Sequence, residues 1–344
     1  MERGIFTRKE ILSQPEAWAE ALDVLEGLQP ELLRLFGADY DQVVFTGCGS
    51  TYYLALAGAA LFQEATGRLA RAVPGGELLL NTDLALGKSG HKTLLVAISR
   101  SGSTTETVRA VEQFKAQERG PVIVVTNYSD QPLAALADLA IVIAKGQEES
   151  VAQTRSFASM YVATTALCLL AGGRERELKT MRGLPEAGKA VMAQYESLAQ
   201  KFGENLEYDR FYFLGSGGRY GLACEVNLKM KEMTLTHSEP FHFLEFRHGP
   251  MSMVNQNAVV VGMVSEKNQP HELAVLDEMK ALGGQVLAMG ENEADVCFSS
   301  DIPEMARGVL YLPVLQLMAY HRSMAKGLNP DRPANLTAVV KLNF

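Results

Sequence analysis

The chain has 344 residues, 47% of them hydrophobic and 21% charged, and its formal net charge is −8 at pH 7. This length leaves room for two domains of roughly 100–200 residues each, and the composition is typical of a folded globular protein. The acidic balance disfavours nucleic acid as a partner, because binding to a phosphate backbone needs a basic surface.

Export and membrane insertion are not expected from this sequence. The longest apolar run, residues 161–171, is shorter than the ~18 residues that a membrane span requires. The first residues lack the basic start and apolar centre of a signal peptide. Cys48, Cys168, Cys224 and Cys297 are widely spaced, which predicts neither a zinc site nor a disulfide framework. We therefore expect a protein of the reducing cytoplasm with no membrane partner.

The first candidate binding element is a glycine-containing turn. An interrupted amphipathic helix is predicted at residues 8–28, a short strand at 41–46 and a helix of small residues at 52–65. Between that strand and that helix lie Gly47, Cys48, Gly49, Ser50 and Thr51. A turn of this kind directs backbone N–H groups at an anion. A dinucleotide-binding turn would need a third glycine where the chain has Tyr52, so an NAD-linked enzyme is disfavoured.

A segment rich in hydroxyl groups follows the next strand, which is predicted at residues 93–98. The segment consists of Ser99, Arg100, Ser101, Gly102, Ser103, Thr104 and Thr105. Serine and threonine are ordinary helix N-caps, but a cap uses one hydroxyl and not several. Hydroxyl groups, a guanidinium and the N–H groups of a helix start can together bind a phosphate without a Walker lysine. We therefore predict a phosphate-binding cradle here.

The rest of the first half alternates strands with helices. Strands are predicted at residues 122–126 and 139–143, and a polar loop at 147–157 leads into an apolar helix. This alternation is typical of an open α/β sheet.

The second half repeats the pattern of the first. After a charged helical stretch at residues 174–201, a strand at 211–214, a glycine turn at 215–218 and a helix ending near Glu232 match the first strand, turn and helix. Further strands are predicted at 258–264 and 285–289, further helices at 272–282 and 305–326, and a non-helical tail with an extended end after them. We interpret the repeat as an internal duplication.

The segment at residues 229–248 is the strongest candidate for chemistry. Glu225, Lys229 and Glu232 are spaced i, i+4 and i+7, so a helix places them on one face. Taken alone, this pattern is more typical of a solvent-exposed row of ion pairs. The stretch that follows interleaves aromatic residues with His237, His242 and His248. Histidine titrates near neutral pH, and beside a carboxylate it forms a usual acid/base pair.

Six motifs in order resemble one known family. They are 47–51, 99–104, 151–155, 229–232, 245–250 and the tail from Asn329 to Leu336. Together they resemble the tandem sugar isomerase (SIS) domain proteins over essentially the whole chain. The similarity is nearest to the isomerase half of glucosamine-6-phosphate synthase and to the related amino-sugar phosphate deaminases and fructosamine phosphate deglycases.

The resemblance implies an α/β fold of two tandem SIS domains related by internal duplication. Each would be a mostly parallel sheet flanked by helices in a doubly wound, flavodoxin-like arrangement. We expect an N-terminal helical segment at 1–30, one SIS domain at 31–190 and a second with the tail at 191–344. The resemblance further implies a sugar phosphate ligand, a homodimer with shared active sites, and no metal or organic cofactor. Since the synthase's glutaminase domain has no counterpart in this sequence, we expect no built-in supply of ammonia from glutamine.

The family's site residues carry over to matching positions. The phosphate cradle matches Ser99, Arg100, Ser101 and Thr104, with Arg100 where the synthase has glutamine. The sugar-contacting residues match Cys48, Gly49, Ser50, Thr51, Val151 and Gln153. By the same resemblance Glu232 is the acid/base that moves a proton between C1 and C2, and Lys229 supports it. His248 matches the histidine that opens the sugar ring, reaching in from the second subunit.

One position departs from the synthase. Its tail lysine, which holds the open sugar as a Schiff base, corresponds to Ala338, and an alanine cannot form an imine. Lys341 lies three residues on, which in an extended tail points to the opposite face. Isomerisation, deamination or deglycation is therefore favoured over transamination. The alternative is a non-catalytic sugar-phosphate sensor, which would keep the cradle and lack the chemistry of Glu232 and His248.

Overall fold

The computed structural model describes residues 3–87 and 91–342. Its helices, in chain order, are α1 Ile5–Leu12, α2 Gln14–Gly27, α3 Gln29–Phe36, α4 Ser50–Thr66, α5 Gly75–Leu80, α6 Thr82–Leu86, α7 Thr105–Ala116, α8 Pro132–Leu136, α9 Arg155–Ala171, α10 Glu175–Thr180, α11 Leu184–Glu204, α12 Gly218–Thr234, α13 Gln269–Ala281 and α14 Leu312–Ala325. Its strands are β1 Gln42–Gly47, β2 Ala70–Pro74, β3 Thr93–Ser99, β4 Val122–Thr126, β5 Leu139–Val142, β6 Arg210–Leu214, β7 His237–Phe241, β8 Ala258–Met263, β9 Gln285–Gly290 and β10 Val296–Cys297.

These elements form two compact units, named here by their strands. The β1–β5 unit comprises Glu16–Gln147, Arg155–Arg182 and Thr337–Phe344. The β6–β10 unit comprises Met1–Pro15, Glu148–Thr154 and Gly183–Leu336. The two units interleave along the chain, whereas each predicted domain is one continuous segment with a limit at residue 30 or 190. Those predicted limits stay a prediction.

Both units contain a five-stranded sheet in which every pairing is parallel. The strand orders are β2-β1-β3-β4-β5 and β7-β6-β8-β9-β10, so each reads 2-1-3-4-5 within its own unit. That order is the flavodoxin-like one. All residues of β3 and β8 are buried, as expected for central strands covered by helices on both faces. The predicted doubly wound α/β fold is therefore confirmed.

The small residues of α4 allow it to pack closely in the β1–β5 unit. A Cβ atom at Gly58 would lie 2.9 Å from Cγ2 of Thr164 on α9 and 3.0 Å from the Phe45 ring on β1. Nearly every residue of α9 is buried, which accounts for its unbroken apolar sequence. This packing holds α4 over the sheet and fixes the direction in which its first turn faces.

The two glycine turns have the same backbone conformation. Gly49, which precedes α4, has φ 59° and ψ −125°, and Gly217, which precedes α12, has φ 59° and ψ −135°. Gly47 and Gly215 both lie against the first turn of the following helix, where an added Cβ would meet backbone atoms at 2.6 Å and 2.5 Å. Matching turns and matching strand orders confirm the internal duplication.

The edges of the sheets differ from the sequence expectations. The sequence prediction missed β2, β7 and β10, which are outer strands. Strand β7, His237–Phe241, lies in the 229–248 segment, for which only interleaved histidines and aromatic residues were noted. Outer strands are partly solvated, so their apolar pattern is weak. The extended end of the tail is also not as predicted, because the chain turns at residues 334–335 and bends at 338–339. In the part of the chain that is described, no helix has the length and apolarity to span a membrane.

Candidate active site

The predicted phosphate and sugar residues of the β1–β5 unit meet at one edge of its sheet. Strands β1 and β3 are neighbours, and the chain leaves their carboxyl ends in opposite directions along the sheet. Such a switch point is the usual ligand crevice of an open α/β sheet. The Cys48–Thr51 turn follows β1 and the Ser99–Thr104 loop follows β3. The fold therefore brings both predicted segments to the place where a ligand is expected.

The turn after β1 is held by its own hydrogen bonds. The backbone N–H of Cys48 donates to Oγ1 of Thr51 at 2.9 Å, and that hydroxyl donates to the Cys48 carbonyl at 3.0 Å. The Cys48 Sγ lies 3.4 Å from Oγ1 of Thr107 on α7. Burial raises the pKa of the Cys48 thiol, although the contact with Thr107 acts in the opposite direction. Cys48 is therefore a neutral contact group and not a thiolate nucleophile.

The loop after β3 arranges hydroxyl groups around the start of α7. The N–H of Gly102 donates to Oγ of Ser99 at 3.2 Å, and the N–H of Ser103 donates to Oγ of Ser101 at 3.3 Å. Both serine hydroxyls therefore act as acceptors in these two hydrogen bonds. Thr104 is the N-cap of α7, but within the described residues its side chain makes no capping hydrogen bond. This arrangement fits an anion site better than an ordinary cap.

Arg100 is buried, and it links the predicted cradle to the tail of the chain. Its Nη2 donates to the carbonyl oxygen of Ala338 at 2.8 Å. At the start of α7, the N–H of Thr105 donates to the Val340 carbonyl at 3.4 Å, and Oγ1 of Thr105 accepts the N–H of Leu342 at 3.1 Å. Ala338, which the resemblance places at the position of the synthase's Schiff-base lysine, therefore lies against the predicted cradle.

The β6–β10 unit carries the predicted acid/base residues. On α12 the Lys229 Nζ lies 3.2 Å from Oε1 of Glu225 and also donates to Oε1 of Glu232. The side chains of Glu225, Lys229 and Glu232 are 0%, 1% and 13% exposed. The prediction that the three charges share one helix face is confirmed. A solvent-exposed row of ion pairs, the commoner meaning of this spacing, is excluded because the face is buried.

In this buried cluster Lys229 holds the side chain of Glu232 in place. Burial alone would lower the pKa of the Lys229 ammonium, but the carboxylates of Glu225 and Glu232 raise it above its ordinary value. Lys229 is therefore a permanent cation at neutral pH. One ammonium faces two carboxylates, and Glu232 is the more exposed of the two. A carboxylate held in place by a fixed cation is suited to accept and return a proton.

The three histidines lie in different surroundings. The side chain of His237 is 64% exposed, with Nε2 4.0 Å from Oε2 of Glu239. His242 stacks on Tyr220 with ring centroids 4.0 Å apart, and burial lowers its pKa. His248 is exposed and follows the 3₁₀ turn Glu245–Arg247, where its N–H donates to the Glu245 carbonyl at 2.9 Å. The role of His248 stays a prediction.

Val151 and Gln153 lie in a short loop, residues 148–154, that belongs to the β6–β10 unit together with Lys229, Glu232 and His248. Both side chains are half-buried. The N–H of Val151 donates to the carbonyl of Asp331 at 3.0 Å. The loop is thus fixed by its own unit, although the chain before and after it belongs to the β1–β5 unit.

Sequence reasoning missed two features of these edges. Thr107 contacts Cys48, and its position three residues after Thr104, on the same helix face, could have identified it. The second sheet has no hydroxyl-rich loop after β8. There, Oε2 of the buried Glu272 accepts the N–H of Ser265 at 2.6 Å. The loop after β8 is thus bound by the protein's own carboxylate.

This duplicated fold, with its loops at the switch point of the sheet, defines a class of protein, and comparison with known proteins identifies the same class. The family model described as SIS domain matches residues 38–170 and 207–321. The chain therefore belongs to the SIS domain family.

Individual members of the family and solved structures are similar to this chain over nearly its whole length. The chain is 30% identical over 351 residues to the glutamine–fructose-6-phosphate aminotransferase (isomerizing) of Pyrococcus horikoshii, covering 97% of this chain and 57% of that protein. It thus spans somewhat more than half the length of that relative. The crystal structure of glucosamine-6-phosphate deaminase from Thermotoga maritima matches with 29% identity and a TM-score of 0.80, covering 98% of this chain and 99% of that one. The fold is also shared with the tagatose-6-phosphate ketose/aldose isomerase of Escherichia coli, at 24% identity and a TM-score of 0.85 over 96% of both chains.

Proposed function

We propose that this protein is a sugar-phosphate-processing enzyme that transfers a proton between C1 and C2 of an amino- or ketohexose 6-phosphate. The observation that carries the proposal is the buried cluster of Glu225, Lys229 and Glu232, because it holds a carboxylate against a fixed cation.

Each group of site residues has a role in this proposal. Ser99, Ser101 and Thr104 bind the phosphate with the N–H groups at the start of α7. Arg100 adds positive charge beside the phosphate. The sugar itself is contacted by Cys48, Gly49, Ser50, Thr51, Val151 and Gln153.

The proposed chemistry begins with ring opening and continues with proton transfer. His248 moves the proton that opens the ring, and in a homodimer it would act in the partner's site, which its exposed position allows. Glu232 then removes the proton from C2 of the open aldose and returns it to C1, while the proton of the group on C2 passes to O1, and together these transfers convert an aldose into a ketose. When C2 carries an amine, the same transfer gives an imine at C2, which water hydrolyses to a ketose and ammonia. Lys229 keeps the side chain of Glu232 oriented.

Deamination, isomerisation or deglycation is the proposed outcome, and transamination is not. The Thermotoga maritima deaminase matches this chain over nearly the full length of both. Ala338 lacks the amine needed for a Schiff base. The proposed setting is the cytoplasm.

A proton-exchange experiment tests the function directly. The protein is incubated in heavy water with fructose 6-phosphate, glucosamine 6-phosphate or a fructosamine 6-phosphate, and the C1 and C2 protons are followed by NMR while released ammonia or amine is measured. We expect exchange at C1 or C2 of at least one sugar. Exchange with release defines a deaminase or deglycase, and exchange alone defines an isomerase. Binding of the sugar phosphate without proton exchange at C1 or C2 would indicate a non-catalytic sensor and not an enzyme.

The cradle makes a second prediction. Ser101→Ala and Thr104→Ala should each weaken binding of the sugar phosphate by roughly tenfold or more, because a hydrogen bond to a charged group contributes about 1.5–3 kcal/mol. Isothermal titration calorimetry with the sugar phosphate measures the loss. Ser129→Ala is the matched control, since Ser129 is an exposed hydroxyl residue beyond the end of the neighbouring strand β4. Unchanged affinity in both cradle variants would mean that the phosphate binds elsewhere.

A further inference from the structure

The 148–154 loop is held by side chains that the proposed reaction does not use. Its flanking segments belong to the β1–β5 unit, yet its backbone hydrogen bonds are made to the β6–β10 unit. Because two of its residues are assigned to the sugar, the groups that hold this loop determine how well those residues are placed.

Glu10 on α1 accepts three hydrogen bonds from the loop. Its Oε1 accepts the backbone N–H groups of Glu149 at 2.6 Å and of Ser150 at 3.2 Å. Its Oε2 accepts the hydroxyl of Ser150. Glu10 is 2% exposed and Ser150 is 2% exposed, so the bonds between these two residues are shielded from water, whereas the bond to the Glu149 N–H is partly buried. One buried carboxylate therefore binds three donors from the two residues that precede Val151.

The remainder of the loop is tied down on both sides of the sugar-contacting residues. Oε1 of Glu148 accepts both the N–H and the hydroxyl of Thr154 at 2.8 Å. The backbone carbonyl of Asp331 accepts the N–H of Val151. The side-chain Oδ1 of Asp331 accepts the N–H and the hydroxyl of Thr7 on α1, both at 2.8 Å. Helix α1 thus supports the loop both directly, through Glu10, and through Asp331.

We propose that Glu10 is a positioning residue for substrate binding, because it fixes the backbone that presents Val151 and Gln153 to the sugar. This inference rests on the proposed function, to which it adds a residue remote from the reacting carbons. Glu10 acts through the loop and makes no contact with substrate. Its loss should therefore weaken binding of ground state and transition state alike, which raises KM and leaves kcat nearly unchanged.

The hydrogen-bond pattern predicts which substitution the site tolerates. Burial and the neighbouring Glu148 carboxylate raise the pKa of Glu10, so the negative charge itself is disfavoured there. A glutamine can keep its oxygen on the two N–H groups and turn its amide toward the Ser150 hydroxyl, which then acts as an acceptor. Glu10→Gln should therefore preserve the loop, whereas Glu10→Ala should release it.

The experiment compares Glu10→Ala, Glu10→Gln and wild type by hydrogen exchange and by steady-state kinetics. In Glu10→Ala we expect the Glu149 and Ser150 amides to exchange roughly tenfold faster or more, since their acceptor is gone. We expect KM for the sugar phosphate to rise about tenfold with kcat within about threefold. Glu10→Gln should stay near wild type in both readouts. If Glu10→Ala does not fold, Glu10→Asp takes its place, because the shorter side chain withdraws the same acceptor.

Glu272→Ala is the matched control. Glu272 is also 2% exposed in the β6–β10 unit and accepts a backbone N–H, but from Ser265 outside the loop. The Glu272→Ala variant should lose a similar amount of stability, but hydrogen exchange in the 148–154 loop and KM should stay unchanged. Unchanged loop exchange in Glu10→Ala, or faster exchange with unchanged KM, would overturn the proposal. If wild type neither binds nor exchanges any of the sugars, the proposed function fails, while loop exchange still decides whether Glu10 holds the loop.

Discussion

Replacing Glu232 by glutamine is expected to lower proton exchange at C1 and C2 by about 100-fold or more, the usual contribution of a positioned general acid or base. The amide keeps the size of the side chain and can still accept a hydrogen bond from Lys229, but it cannot take up a proton. Binding of the sugar phosphate should change little, because the cradle is untouched. The measurement is the NMR exchange rate in heavy water, with affinity measured by calorimetry on the same sample.

A neighbouring carboxylate provides the control. Glu239 lies on β7, and its side chain is 44% exposed, in contrast to the 13% of Glu232. Glu239→Gln should leave the exchange rate within about twofold of wild type, as expected for a surface substitution. If Glu232→Gln retains exchange within a few-fold of wild type, another group carries the proton and the assignment of Glu232 is wrong.

The central part of each sheet could be predicted from the sequence because its signals are local. Residues 94–98 form an uninterrupted apolar run within the predicted strand at 93–98, and the observed β3 is Thr93–Ser99 with all of its residues buried. The turns before α4 and α12 could be predicted because only glycine readily adopts a positive φ, here 59° at Gly49 and Gly217. Similar segments in the same order were enough to indicate duplication.

Burial of charge could not be predicted in the same way. The i, i+4, i+7 spacing of Glu225, Lys229 and Glu232 fits a solvated face equally well, and only packing in the folded chain places Lys229 at 1% exposure. Glu10 is a similar case. It lies with Thr7, Ile11 and Gln14 on the buried face of the first two helices, but the loop it supports is more than 130 residues away in sequence. Contacts of that separation leave no short-range pattern.

Lys229→Met should be the most destabilising single change considered for this protein. Methionine is close to lysine in shape, but the substitution removes the ammonium that Glu225 faces at 3.2 Å in a position with 0% exposure. Removing one partner of a buried ion pair typically costs about 3–5 kcal/mol. The free energy of unfolding should fall by that amount at neutral pH, measured by urea denaturation.

The double variant Glu225→Gln/Lys229→Met separates the loss of charge balance from the loss of packing. If the deficit of Lys229→Met comes from an uncompensated carboxylate, neutralising that carboxylate should restore a large part of it, and the two substitutions should be strongly non-additive. Lys231→Met, at an exposed position on the same helix, should change stability by no more than about 0.5 kcal/mol. Additive losses in the double variant would show that packing, and not the balance of one ammonium against two carboxylates, stabilises the end of α12.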